Sequence, residues 1–316
     1  MARIDEISGR QRGIISRAQA FRAGLSPDKV RNLLESGRWQ RLYPGVYATF
    51  SGEVRRPAMR WAAVLSAGPG ALLSHRSAAE ELGLAEHEDG HDAIHVLIPA
   101  DRHIRRASGI VVHRGTRSAA RRHPARLPPQ TRVEDTVLDL ASAATEEEEA
   151  MRWIAAACGR RLTTPARLAR ALHDRPRLLR RRRLAELLAE ADAGCASVLE
   201  WRYLRAVERA HGLPAAVRQQ RRPRRGGYWY DDVYYLDHGV RVELDGQAAH
   251  PAERRWRDFR RDNAAAQSGE VVLRYGAADV SATPCAVAEQ VAEVLRSRGW
   301  RGEMKRCRQM CGKGRW

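Results

Sequence analysis

The sequence predicts an α+β, α/β multidomain protein: an N-terminal winged helix-turn-helix, a mixed α/β middle region and a C-terminal α/β core. Three observations lead there. The chain has 316 residues, which suggests two or three compact units rather than one. Near the N-terminus, two short helix signals are followed at once by a hairpin signal. Near the C-terminus, the pattern reads helix, strands, helix, strand, helix, and one of those strands carries neighbouring carboxylates on one side.

Composition narrows the function classes. Hydrophobic residues make up 43% and charged residues 30%, enough for real cores under a soluble surface. The net charge is +18 and the pI about 10.7, so a polyanionic partner is the first expectation. Lysine stands only at Lys29, Lys305 and Lys313; the other 53 cations are arginine. A GC-rich genome explains part of that arginine but not the sign, because Asp and Glu codons are equally accessible. No stretch approaches the ~18 apolar residues of a membrane span, and no apolar leader opens the chain. Five scattered cysteines (Cys158, Cys195, Cys285, Cys307, Cys311) suit a reducing cytoplasm. Cys307-x-x-x-Cys311 has no second pair or histidine near it in sequence, so no zinc site is expected there.

Residues 1–52 form the expected winged module. Ser16 can cap a helix to about Arg22, and Gly24 can end it. Ser26-Pro27 restarts a helix with a cap and a proline at its first position. Val30, Leu33 and Leu34 bury one face; Asp28, Arg31, Asn32 and Glu35 fall opposite. Gly37 ends it. Tyr43-Pro-Gly45 then turns between Trp39–Leu42 and Val46–Ala48, the wing. In such a fold the second helix enters the major groove. Lys29, Arg31 and Asn32 are the candidate DNA-binding residues on that helix, with Arg31 and Asn32 placed for base edges. Arg38 and Arg41 can reach phosphates. Over residues 1–60 there are 12 Lys+Arg against 5 Asp+Glu.

Residues 53–192 mix helix and strand. Helices are expected over Pro57–Ala67 and around His75–Leu82, and strands over Ala93–Ile98 and Gly109–His113. A mostly helical stretch follows from Glu134, including the acidic start Glu146–Glu149. Arg180–Arg183 reads as a helix face, a hinge or a phosphate contact. His75, His95 and His113 lie on different elements without ligand spacing, so packing or surface roles are expected for them.

Residues 193–300 carry the chemistry. Ser197-Val-Leu-Glu200 opens an amphipathic helix to about Ala210. Tyr230–Tyr235 and Gly239–Gly246 are strands with Asp237-His-Gly239 as their turn. Val240, Val242 and Leu244 share one face, and Arg241, Glu243 and Asp245 the other. Of Asp231 and Asp232, one can face a site and the other is expected in solvent. A helix with Asp258 and Asp262 among arginines, the strand Glu270–Arg274 and a final helix from Pro284 follow. Carboxylates on adjacent strands can hold a hard cation, which activates water and neutralises charge on a phosphate. Residues 301–316 read as a basic disordered tail.

Two resemblances extend this reading. Ile14–Leu25 and Gly37–Tyr47 resemble the N-terminal domain of AbiEi-type antitoxins, which implies promoter binding and a possible cognate toxin protein as partner. Asp232, Glu243-Leu-Asp-Gly246, His250, Asp258–Asp262 and Val271–Arg274 resemble domains related to the very-short-patch repair (Vsr-like) endonucleases of the PD-(D/E)XK superfamily. That resemblance implies a restriction-endonuclease-like core and DNA phosphodiester hydrolysis with Mg²⁺ or Mn²⁺. It implies Asp232 and Glu243 as metal ligands, Asp245 as a third acid, His250 as proton carrier, Glu200 as the acid orienting water and Arg274 as an orienting group. The superfamily's usual lysine is Asp245 here. The competing expectation is an antitoxin-like transcriptional repressor with an inert nuclease-fold domain. Double-stranded DNA is the partner in either case, and no membrane.

Overall fold

The structure is a computed structural model that describes residues 2–86, 93–104, 107–224, 227–245 and 269–307. It is a mixed α/β protein of two compact units, Met1–Ala144 with Ala171–Leu179, and Thr145–Arg170 with Arg180–Trp316. Among the described residues no helix is long and apolar enough to cross a membrane.

The first unit starts with α1 (Ala2–Arg10), β1 (Ile14–Ser16), α2 (Arg17–Arg22), α3 (Pro27–Glu35), β2 (Gln40–Tyr43) and β3 (Val46–Ala48). Local chemistry sets these limits. Ser16 and Gln19 form a reciprocal capping box on α2. Ser26 Oγ accepts from Lys29 N at the start of α3, where Pro27 loses no needed N–H. Gly45, at φ +76°, follows Pro44 in the hairpin turn and supplies the left-handed conformation there. The three strands pair antiparallel in the order β1-β3-β2.

Alternation along those strands gives the small sheet two covered faces. Ile15 and Tyr47 join Ile4, Ala20, Val30, Leu33 and Trp39 on the helical side. Ile14, Val46 and Ala48 join Ala58, Trp61 and Ala62 of α4 (Arg56–Ala67) on the other. The helix assigned by sequence to a separate middle region therefore packs on the N-terminal sheet, because that sheet's second face is apolar. The same helix turns Ala63, Val64 and Ala67 into a further core with Leu73, Ile94, Val96 and Ile98. That core belongs to a second three-stranded sheet of β4 (Leu72–Leu73), β5 (Ile94–Pro99) and β6 (Ile110–Gly115), with β5 and β6 parallel. Around it lie α5 (His75–Glu81) and α6 (Val133–Ala143).

In the second unit, α7 (Glu147–Gly159) and α9 (Arg181–Asp192) accompany a four-stranded sheet; α8 (Pro165–His173) supplies residues to both units. The boundary expected at 192/193 is not where this unit begins, and ion pairs explain why. Arg183 of the four-arginine block pairs with Glu147 and Glu186. Trp201 Nε1 donates to Glu190 Oε2 at 2.8 Å. These tie α7 and α9 to α10 (Val198–Arg202), which runs on into a π-helical stretch, Tyr203–Arg209.

The sheet contains β7 (Val217–Arg224), β8 (Gly227–Tyr235), β9 (Val240–Asp245) and β10 (Val271–Gly276) in the order β10-β9-β8-β7. The first three form an antiparallel meander; β10 lies parallel to β9. Val233, Tyr235, Val240 and Val242 meet Leu199, Tyr203 and Val207 and the apolar stripe Val287, Val291 and Leu295 of α12 (Pro284–Ser297). Between β10 and α12 lies the short α11 (Ala277–Ala282). Trp300 and Met304 also pack against this core, so the tail's first residues are ordered by apolar contact. Residues 308–316 lie outside the described residues.

Candidate nucleic-acid interface and acidic cluster

On α3 the buried residues are Val30 and Leu33, which leaves Lys29, Arg31 and Asn32 exposed; Arg38 and Arg41, beyond the helix, are exposed as well. These five side chains come from one helix and the start of the hairpin. Arg31 Nη2 lies 3.1 Å from Asp28 Oδ1 one turn earlier, with both side chains largely in solvent. An exposed pair of this kind contributes about 0–1 kcal/mol, so it yields readily to a phosphate or a base edge.

The acidic residues sit on the second unit's sheet and its leading helix. One step beyond the last paired residues, Val233 and Val242, β8 carries Asp232 and β9 carries Glu243. Leu244 N donates to Asp232 Oδ2 at 2.8 Å. Arg274, in register with Glu243 on β10, donates from Nε to Glu243 Oε2 at 3.0 Å. Glu200, nearly buried on α10, accepts from Ala196 N, Ser197 Oγ and Gln219 Nε2. Burial raises its pKa, and the charge of Asp232 raises it further, against those hydrogen bonds. Glu200 and Asp232 are thus close enough to feel each other. Asp245 is exposed at the end of β9. His250, Asp258 and Asp262 lie outside the described residues.

One expectation fails here for a physical reason. Asp231 is not in solvent; it is 3% exposed. Arg241, on the same side of its strand as Glu243 and Asp245, is equally buried and reaches Glu270 Oε2 and, at 3.7 Å, Asp231 Oδ1. A buried guanidinium needs carboxylate partners, and both are supplied from neighbouring positions.

Two groups of three potential metal-ligand atoms gather within 4.8 Å among the described residues. Neither contains Glu200, Asp232, Glu243 or Asp245. One is His75, His95 and His113, which the sequence places in packing or surface roles. Parallel pairing of β5 with β6 brings His95 Nδ1 to 2.9 Å from His113 Nε2. His75, at φ +47°, stacks on His113 with ring centroids 3.6 Å apart and planes 16° from parallel. Burial drives His75 down to about 3 and His113 to about 4, so these rings are neutral near pH 7. In-plane lone pairs on stacked rings run side by side, which is poor geometry for sharing one ion. The second group is His211, Cys285 and Cys307.

Residues 2–49 match a family model described as a transcriptional regulator, AbiEi antitoxin. The matched segment covers α1 to β3 and contains all five exposed polar residues named above. No curated protein matches the chain. Among solved structures, the RV2827C protein from Mycobacterium tuberculosis is similar at 21% identity, covering 59% of this chain and 76% of that one, with a TM-score of 0.40.

Proposed function

We propose that this chain is a DNA-binding transcriptional regulator of the AbiEi antitoxin type, which docks α3 into the major groove of double-stranded DNA. The observation that carries this is the AbiEi match over residues 2–49 on a segment whose second helix exposes Lys29, Arg31 and Asn32. The element order helix, turn, helix, hairpin supports a winged-helix reading. Arg31 and Asn32 are the side chains for base edges; Arg38 and Arg41 contact phosphates. The basic excess supplies the salt-dependent part of binding. A cognate toxin protein is the further partner this reading implies. Selection from a randomised duplex library tests it. Enrichment of a defined site that the double variant Arg31→Ala, Asn32→Ala no longer enriches supports the proposal. Indiscriminate binding by wild type sinks it.

A second reading is a Mg²⁺- or Mn²⁺-dependent DNA hydrolase built on Asp232, Glu243 and Glu200. Two observations favour it. The order α10, β7-β8-β9, then β10 parallel to β9 supports a restriction-endonuclease-like core. The nearness of the Asp232 charge to the buried Glu200 supports a shared acidic site. The donor set among the described residues does not fit an ion: Arg274 holds Glu243, Leu244 N holds Asp232, and neither joins a three-ligand group there. No hydrolytic step is therefore derived. Nicking of supercoiled plasmid by wild type with Mg²⁺ or Mn²⁺, abolished in Asp232→Ala and Glu243→Ala, would establish this reading. Equal nicking by all three proteins would mark a contaminant and remove it.

A further inference from the structure

We propose that His211, Cys285 and Cys307 form a zinc site that pins the C-terminal segment to the core of the second unit. The three residues are far apart in sequence and arrive on three different pieces of backbone. His211 follows the π-helical stretch, Cys285 is the second residue of α12, and Cys307 lies in the extended segment after α12. Their ligand atoms all fall within 4.8 Å of one another.

The details suit zinc. Cys285 Sγ and Cys307 Sγ are 3.6 Å apart, far beyond a disulfide bond. Two thiolates on a tetrahedral Zn²⁺ with bonds of about 2.3 Å would be separated by about 3.8 Å, close to what is seen. His211 is fully buried, and its Nδ1 lies 3.0 Å from the Val207 carbonyl oxygen. Donation from Nδ1 makes Nε2 the nitrogen with the lone pair and fixes the ring's direction, the outer-shell arrangement typical of zinc-bound histidine. The position of Cys285 in the first turn of a 14-residue helix favours an anionic sulfur.

The surrounding backbone is arranged to present Cys307. Lys305 N donates to the His211 carbonyl oxygen at 2.8 Å, two residues before the cysteine. Gly212, at φ +66°, sits against the Lys305 side chain, where an added Cβ would come within 3.2 Å of Cδ. Trp300 and Met304 anchor the same segment through apolar contact. A Cys₂His set leaves a fourth position. A water molecule can fill it.

The test is metal analysis of the full-length chain purified without chelator. The expected result is one zinc per chain in wild type and less than a tenth of that in Cys285→Ser and Cys307→Ser, with circular dichroism reporting whether each variant folds. Cobalt substitution of wild type keeps the proposal falsifiable if the variants do not fold. Tetrahedral thiolate coordination produces intense visible d–d bands and a sulfur-to-cobalt charge-transfer band, which added zinc erases. Metal-free wild type whose two thiols titrate freely, or prove joined as a disulfide, overturns the proposal.

Discussion

Arg31 and Arg241 carry the same charge in opposite surroundings. The side chain of Arg31 is 64% exposed on α3 and, among the described residues, pairs with Asp28 one turn away. That of Arg241 is 4% exposed on β9 and lies between Asp231 and Glu270. Arginine in this chain therefore serves two ends. In the first unit's N-terminal segment it is left available to an incoming anion, and in the second unit's sheet it is consumed by internal carboxylates. Arg218 with Glu208, both nearly buried, repeats the second pattern. A count of cations gives the charge that a polyanion feels at a distance; burial tells which of them it can touch.

The sharpest way to break this comparison is Arg241→Ala. Removing one member of a buried network strands the others, and breaking such a pair costs about 3–5 kcal/mol. Urea unfolding should show a loss of that size; a change below about 1 kcal/mol would mean that Arg241 is solvated like Arg31. The next effect is pH-dependent and belongs to the first unit. Burial holds His75 at about 3 and His113 at about 4, below the ordinary 6.5. The unfolded chain thus takes up protons first as pH falls. Stability is whole above about pH 6.5 and declines toward pH 4, opposed in part by Asp135, whose carboxyl burial raises. Thermal midpoints measured against pH should show this slope, and His113→Gln should flatten it.

Smaller effects sharpen the exposed side of the comparison. Arg31→Ala should cost about 1–3 kcal/mol of binding to a selected site and little on random duplex. Arg38→Ala should weaken both equally and reduce the slope of log K against log salt by about 1. Identical salt slopes for wild type and Arg38→Ala would remove that residue from the phosphate contacts. Smallest is Ser26→Ala, which deletes the cap of α3 and should cost about 1 kcal/mol in thermal or urea unfolding without changing the base preference.

Local signals made residues 16–48 readable, whereas α1 and β1 were not expected from the sequence. Ser26-Pro27, Gly37 and Tyr43-Pro-Gly45 each constrain the backbone by their own chemistry, and the helices and hairpin fall within a residue or two of where they point. The strand β7 left no such trace. Val217–Arg224 carries four arginines and Pro223 and lacks alternation, as suits an edge strand that must not invite further pairing. Asp231 was misread because period-two alternation says which face a residue shares, not whether that face is covered. The histidine and cysteine clusters were invisible for a different reason. His95 and His113 meet through the parallel pairing of β5 with β6 and His75 joins them from α5, while Cys307 reaches His211 and Cys285 only through the return of the chain after α12. Spacing rules detect ligands that share one turn or hairpin, and these do not.

The π-helical stretch at Tyr203–Arg209 has a consequence for how this helix tolerates change in length. Its wider winding holds one residue more than an α-helix of the same rise would. Deleting one residue there would return the segment to ordinary winding and leave the residues downstream close to their present phase about the axis. Tyr203 would keep its bond to Tyr235, and His211 its place beside the two sulfurs. A one-residue gap at this point between this chain and a relative would therefore be absorbed by the winding, with the histidine kept in position.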